Sequence, residues 1–492
     1  MQPVSRRDAL LLGGLGVAGT VVGAAGLAWT LTSPAPPVTG AALTHPAELR
    51  STGGSLALAL EARRGPVLLA GRQATALGYN GSSPGPTLRL RAGDVLSIRL
   101  RNRLAEPTNL HMHGLHVSPQ DAGDNVFVRV DPGDSFDYEF RLPADHPPGV
   151  YWYHPHHHGL VAGQVFGGLF GAIVVEDTTP IPADMDRVLV VSDTDLDGAG
   201  HVRDVPPAER LAGREGRLVL VNGQSNPLLS ALPGQRERWR IVNACVARYL
   251  RLQLDGQGMQ LLGMDSGRFQ SPAPVDEVLL APGNRADLLV TTAAGESVLR
   301  AAYYDRGAMT GMMGRGPGSR PQSDPPQGTA LATLQVSGDP APGPAGLPPQ
   351  PAPEDLRPAA IAAHRQFLLA SGMSGAGMFG GDPGMMAFTI NGREFDAART
   401  DTTVAAGTVE EWTVVNADPM DHAFHLHVWP MQLISANGVV PASPLWQDVV
   451  NVPANGRVTV RIAFKDFTGK SVYHCHILDH EDLGMMGVIE VR

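Results

Sequence analysis

The sequence predicts an all-β protein built from three tandem domains. Three observations carry this: 58 glycines and 42 prolines in 492 residues, one segment layout that occurs three times, and short alternating runs after each turn. A chain so rich in Gly and Pro suits turns and short strands better than long helices. At about 150 residues per domain, length alone points to about three.

The repeat places the domains. Tyr79-Asn80-Gly81 precedes Ala92-Gly93 and the run Val95 to Asn102. Val221-Asn222-Gly223 precedes Pro233-Gly234 and Arg238 to Asn243. Ile390-Asn391-Gly392 precedes Ala406-Gly407 and Glu411 to Asn416. In each, the second glycine precedes the last asparagine by nine residues. A glycine turn followed by period-two alternation is the mark of a half-buried strand. The glycines lie 141 and then 173 residues apart, too far for a solenoid. The expected layout is a leader over 1–44, a first β domain over 45–178, a second over 179–337, a Pro- and Ala-rich linker over 338–358, and a third over 359–492.

Composition excludes several classes. An apolar content of 43% is ample for a core and excludes wholesale disorder. A formal charge of −10 with no basic run argues against a nucleic-acid partner. Two cysteines, Cys245 and Cys475, allow no disulfide framework. Cys245 follows a strand of the second domain and reads as a small buried apolar residue.

The start reads as an export signal. Ser5-Arg6-Arg7-Asp8 precedes an apolar run from Ala9 to Leu31, and Pro34, Pro36 and Pro37 follow. A charged start before an apolar stretch is a signal-peptide layout, and adjacent arginines after a serine resemble a twin-arginine leader. The expected destination is the periplasm, cell envelope or medium, with no membrane span in the mature chain.

Four histidine clusters carry the chemistry. They are His111-Met112-His113, His154-Pro155-His156, His422 with His425 and His427, and His474-Cys475-His476 followed by His480 and Met485. On a strand, i and i+2 share a face and i+1 takes the other. Each His-x-His then presents two imidazoles together, and Cys475 faces away from His474 and His476. One thiolate, two imidazoles and a weak axial thioether are the donors of a blue-copper electron-transfer site. Zinc fits poorly, because structural zinc sites favour several cysteines at short spacing.

With these four motifs, the sequence resembles the three-domain multicopper oxidases, the laccase-like family built from cupredoxin domains. The resemblance runs from about Asn80 to Arg492 and implies three Greek-key β-barrel or sandwich domains of cupredoxin type. It implies four copper ions. Type 1 copper would take His422, Cys475, His480 and axial Met485; type 2 would take His111 and His425. The type 3 pair would take His113, His154, His156, His427, His474 and His476. Electrons would enter at type 1 copper, cross through Cys475 to His474 and His476, and reduce O2 to water. Glu481 follows His480, where similar enzymes hold an acid that supplies protons. Asp121, in the loop after His113, is the expected second acid, with Asp124 as its alternative.

The reducing substrate is read from methionines. Met309, Met312 and Met313 lie in one Gly-rich loop, and Met373, Met378, Met385 and Met386 in another. Thioethers prefer Cu(I). Asp418 and Met420 lie four and two residues before His422, which resembles the bacterial copper-efflux oxidases that bind Cu(I) there. The expectation is a monomeric oxidase of Cu(I) and phenols. A laccase acting mainly on phenols or aromatic amines is the second reading, and a copper-storage or structural protein the third.

Overall fold

The computed structural model describes residues 39–307, 328–373 and 386–492. Within them the strands form six sheets. Strands from Glu48 to Val175 make a five-stranded and a four-stranded sheet. Those from Met185 to Val336 make a six- and a five-stranded sheet, and those from Ala363 to Val491 do the same. Each pair of sheets encloses its own apolar core, centred on Tyr138 and Phe140, on Trp239, and on Trp412. The fold is all-β, with short helices only at Val161–Gly167, Pro207–Ala212 and Leu478–Asp482 among the described residues. No helix there is long and apolar enough to cross a membrane.

The sequence repeat is a structural repeat down to single hydrogen bonds. Asn80, Asn222 and Asn391 all adopt positive φ, as do the glycines that follow. Asparagine and glycine tolerate this left-handed backbone best. The Oδ1 of each asparagine accepts the N–H of an earlier strand: Glu61, Val190 and Leu368, each at 2.8–2.9 Å. Asn102, Asn243 and Asn416 end the repeated strands alike. Each donates Nδ2–H to at least two backbone carbonyls, Asn416 to three, and accepts the N–H two residues on.

Five elements position the candidate site. They are β1 (His111–His113), β2 (Gly149–His154), β3 (His422–Leu426), β4 (Gly469–Cys475) and α1 (Leu478–Asp482). β1 and β2 pair antiparallel with His111 opposite His154, and β3 and β4 pair with His425 opposite His474. Strand register therefore sets histidines face to face within each sheet. One expectation is corrected: His156, His427 and His476 lie just beyond the strand ends, not on them. Pro155 has no N–H to offer a ladder, and Val428 turns the chain after His427 with a φ of 69°.

Candidate metal centre

Two groups of donors form, and β4 supplies both. In the smaller, Cys475 Sγ lies 3.4 Å from His422 Nδ1 and 3.8 Å from His480 Nδ1, and those two nitrogens are 3.3 Å apart. Their other nitrogens are tethered: His422 Nε2–H to Asp418 Oδ2 at 2.8 Å, His480 Nε2–H to the Leu211 carbonyl at 3.3 Å. A fixed outer hydrogen bond sets which nitrogen faces inward. Phe388 stacks on the His480 ring at 4.1 Å. Met485 is fully buried in the same cluster, and its carbonyl accepts the Cys475 N–H at 3.0 Å. Burial opposes charge on His422, but the Cys475 sulfur and the Asp418 carboxylate outweigh it and raise its pKa to about 9.

The larger group gathers eight buried histidines, four from each end of the chain. His111 stacks on His427 at 3.8 Å and His113 on His425 at 4.0 Å, so rings from the two segments interleave. His474 Nε2 lies 3.1 Å from both His156 Nε2 and His427 Nε2. Outer hydrogen bonds hold most rings: His111 Nδ1–H to Asp124, His154 Nδ1–H to the Pro155 carbonyl, His425 Nδ1–H to the Asp448 carbonyl, and His474 Nδ1–H to the Cys475 carbonyl. Asn109 Oδ1 accepts the His156 N–H at 2.6 Å. Buried and without a hydrogen-bond partner are Nε2 of His111, His154 and His425, Nδ1 of His113 and His427, and both ring nitrogens of His476. Burial lowers all eight pKa values, to about 3 for His154 and about 4 for His474, so the rings stay neutral with lone pairs free.

Glu481 sits on α1 beside this group. Its carboxylate is 3.2 Å from His474 Nδ1 and 3.5 Å from His156 Nε2, and no aligned hydrogen bond satisfies it. Burial, then the charges of Asp482 and Cys475, push its carboxyl well above the usual range. Of the two candidate acids after His113, Asp124 and not Asp121 lies beside this group. Asp121 is exposed on the turn with a φ of 52°, while Asp124 is buried with both oxygens within 3.0 Å of His111 Nδ1. The loop folds back through an Asp124 N–H bond to the Ser118 carbonyl, which carries position 124 inward. Burial raises the Asp124 pKa to about 7.

Asp418 and Met420 are both buried beside His422. Asp418 Oδ1 already accepts the backbone and hydroxyl of Ser371, so both its oxygens are engaged. Met386 is half-buried on the strand Met386–Ile390, paired with Met373. Met309, Met312, Met313, Met378 and Met385 lie outside the described residues. Cys245 and Cys475 are both free and buried.

Sequence reasoning missed Asp448. It lies between Gln447 and a Val-Val pair, and its Oδ1 is 3.0 Å from His113 Nε2. A charged residue entering an apolar strand was the available signal.

Three stretches of the chain match family models described as Multicopper oxidase, over residues 61–180, 184–336 and 368–492. The chain is 28% identical over 430 residues to Multicopper oxidase mco of Staphylococcus haemolyticus, covering 84% of this chain and 83% of that one. It is 30% identical over 457 residues to Cell division protein FtsP of Sodalis glossinidius, covering 88% and 91%. Its fold matches the solved multicopper oxidase from Campylobacter jejuni, described as a metallo-oxidase, with a TM-score of 0.80, 31% identity, and 94% and 99% coverage. Three matched stretches, six sheets and two donor groups joined by one strand lead to one conclusion: the chain belongs to the multicopper oxidase family, oxygen-dependent oxidoreductases.

Proposed function

We propose that the protein holds four copper ions, one at Cys475, His422, His480 and Met485 and three among the eight histidines. The observation that carries this is the set of buried, unpartnered imidazole nitrogens. Leaving a buried polar atom unpaired costs about 1–3 kcal/mol, so a cluster of them is sensible only if something binds there. Soft sulfur with imidazole, and no carboxylate among the inward donors, suits copper. The type 2 pair would be His111 and His425, with the other six holding the type 3 pair. When bound, the metal supplies one-electron acceptance at the sulfur site and O2 reduction at the histidine site.

The residues do the rest. Cys475 and its neighbours join the two sites by a few covalent bonds of β4. Glu481 holds a proton beside His156 and His474, where the reduction of O2 to water consumes protons and bulk water is excluded. Asp124 fixes the His111 ring.

For the reducing substrate we infer Cu(I), with phenols also accepted. Asp418 and Met420 beside His422 support this, as does the metallo-oxidase activity named for the Campylobacter jejuni protein. A role in copper homeostasis follows from that substrate. Export by the twin-arginine route rests on Arg6 and Arg7, which lie outside the described residues. The test is to compare O2-dependent oxidation of Cu(I) and of a phenol, with and without added copper. Cu(I) turnover at least as efficient as phenol turnover supports the reading. Phenol turnover alone leaves the laccase reading in its place.

A further inference from the structure

The middle segment gives no histidine to either donor group, yet it reaches into the larger one. Arg285, on the strand Arg285–Thr291, is fully buried. Its guanidinium forks onto Asp448, Nη1 to Oδ1 and Nη2 to Oδ2, each at 2.6 Å. Nε–H donates to the Val150 carbonyl at 3.1 Å and Nη1–H to the Gly283 carbonyl at 3.2 Å. One side chain of the middle segment thus ties β2 to the third segment.

We propose that Arg285 is a positioning residue for the trinuclear histidines, acting through Asp448. This rests on the reading of those eight histidines as copper ligands. A carboxylate bound by a guanidinium is an acceptor only. The nitrogen it faces, His113 Nε2 at 3.0 Å, therefore carries the hydrogen. His113 Nδ1, buried and unpartnered, is left with the lone pair turned inward. The Asp448 carbonyl does the same for His425, accepting Nδ1–H at 2.7 Å and leaving Nε2 free. One residue thereby fixes the tautomers of two stacked ligands, and Arg285 fixes that residue.

The surroundings are shaped for it. Asp265 accepts the Arg285 N–H at 2.9 Å, the Asn284 amide at 2.8 Å and the Asp448 N–H at 3.1 Å, locking both backbones. Gly114, next to His113, has a φ of 83°, and a Cβ there would lie 2.3 Å from Arg285 Nη2. Gly283 has a φ of 89°, and a Cβ there would lie 2.9 Å from the His476 ring. The Gly283–Arg285 turn is therefore seated directly against the cluster. Lysine cannot replace the fork, because an ammonium is a point donor.

The test uses the full-length protein as Arg285→Lys, and as the double variant Arg285→Met with Asp448→Asn, which removes the guanidinium together with the carboxylate it forks onto. Copper per chain is measured by elemental analysis, the trinuclear site by its type 2 electron paramagnetic resonance signal during copper titration, and the sulfur site by its blue absorption. Histidine tautomers are read by nitrogen NMR of the metal-free protein, and Tm is taken on the same sample. The expected result is trinuclear copper held about 10- to 100-fold more weakly. A mixed His113 tautomer should accompany it, with the blue absorption and metal-free Tm of Arg285→Lys kept. Unchanged trinuclear copper in both variants would overturn the proposal. So would loss of both copper sites together with a fallen Tm, which marks a merely structural tie. If the unmodified protein shows no trinuclear signal at all, the ligand reading fails instead, and the two failures are distinguishable.

Discussion

Cys475 and His474 are adjacent on β4 and face opposite ways. The Cys475 sulfur lies 3.4 Å from His422 Nδ1, while His474 Nε2 lies 3.1 Å from His156 and His427. Strand alternation alone produces this, and it places the two donor groups a few covalent bonds apart. Cys475→Ser should therefore abolish the intense thiolate–copper absorption and all turnover while the eight-histidine site still loads copper. Absorption spectra with copper analysis check this; a variant that stays blue would remove Cys475 from the site.

Met485→Leu should raise the potential of the sulfur site, because a weak axial donor is lost. Redox titration followed at the blue band measures it. An unchanged or lowered potential counts against Met485 as the axial donor.

Glu481→Gln keeps the shape of the side chain and removes its proton. The oxygen-consuming half of the cycle should slow by about 10²- to 10⁴-fold. Copper content and anaerobic reduction by substrate should stay unchanged. Stopped-flow reoxidation of the fully reduced protein separates the two halves, and equal slowing of both would deny Glu481 a proton role.

Asp418→Asn probes the substrate. Both Asp418 oxygens are engaged by Ser371 and His422, so some loss of every activity is expected. If Asp418 also receives Cu(I), kcat/KM for Cu(I) should fall about 10-fold further than for a phenol. A uniform fall would make Asp418 only the partner of His422.

His146 gives a pH prediction away from the metal donors. Its Nδ1–H donates to the Pro147 carbonyl at 3.0 Å and its Nε2 accepts the His116 N–H at 3.1 Å, so the fold needs the neutral ring. Burial lowers its pKa from 6.5 to about 4. The folded state then binds fewer protons than the unfolded one between these values. Its stabilising effect is complete above pH 6.5 and is lost as pH falls toward 4, about 2 kcal/mol of it by pH 5. The metal-free His146→Gln variant should lose less Tm between pH 7 and pH 5 than the unmodified protein. An equal loss would place the acid sensitivity elsewhere.

Much of this was legible in the sequence because it is local. The Asn-Gly turns, the nine-residue spacing and the His-x-His pairs each follow from neighbouring residues, and the folded chain brings every histidine of the four clusters into one of two groups. What was not legible depends on contacts across the chain. The choice of Asp124 over Asp121 turns on a loop that folds back three residues further than spacing alone implied. Asp448 and Arg285 lie 163 positions apart and meet only when the middle segment is docked between the others. The exits of His156 and His427 from their strands follow from Pro155 and the positive φ of Val428, which strand alternation alone cannot foresee.

Family membership includes a relative named for cell division as well as oxidases, so the chemistry itself must be measured. The direct measurement is the ratio of reductant oxidised to O2 consumed by the copper-loaded protein, with peroxide assayed in parallel. Four electrons per O2 and no released peroxide are expected. Two electrons per O2 with peroxide accumulating, or no O2 consumption at full copper loading, would contradict reduction of O2 to water.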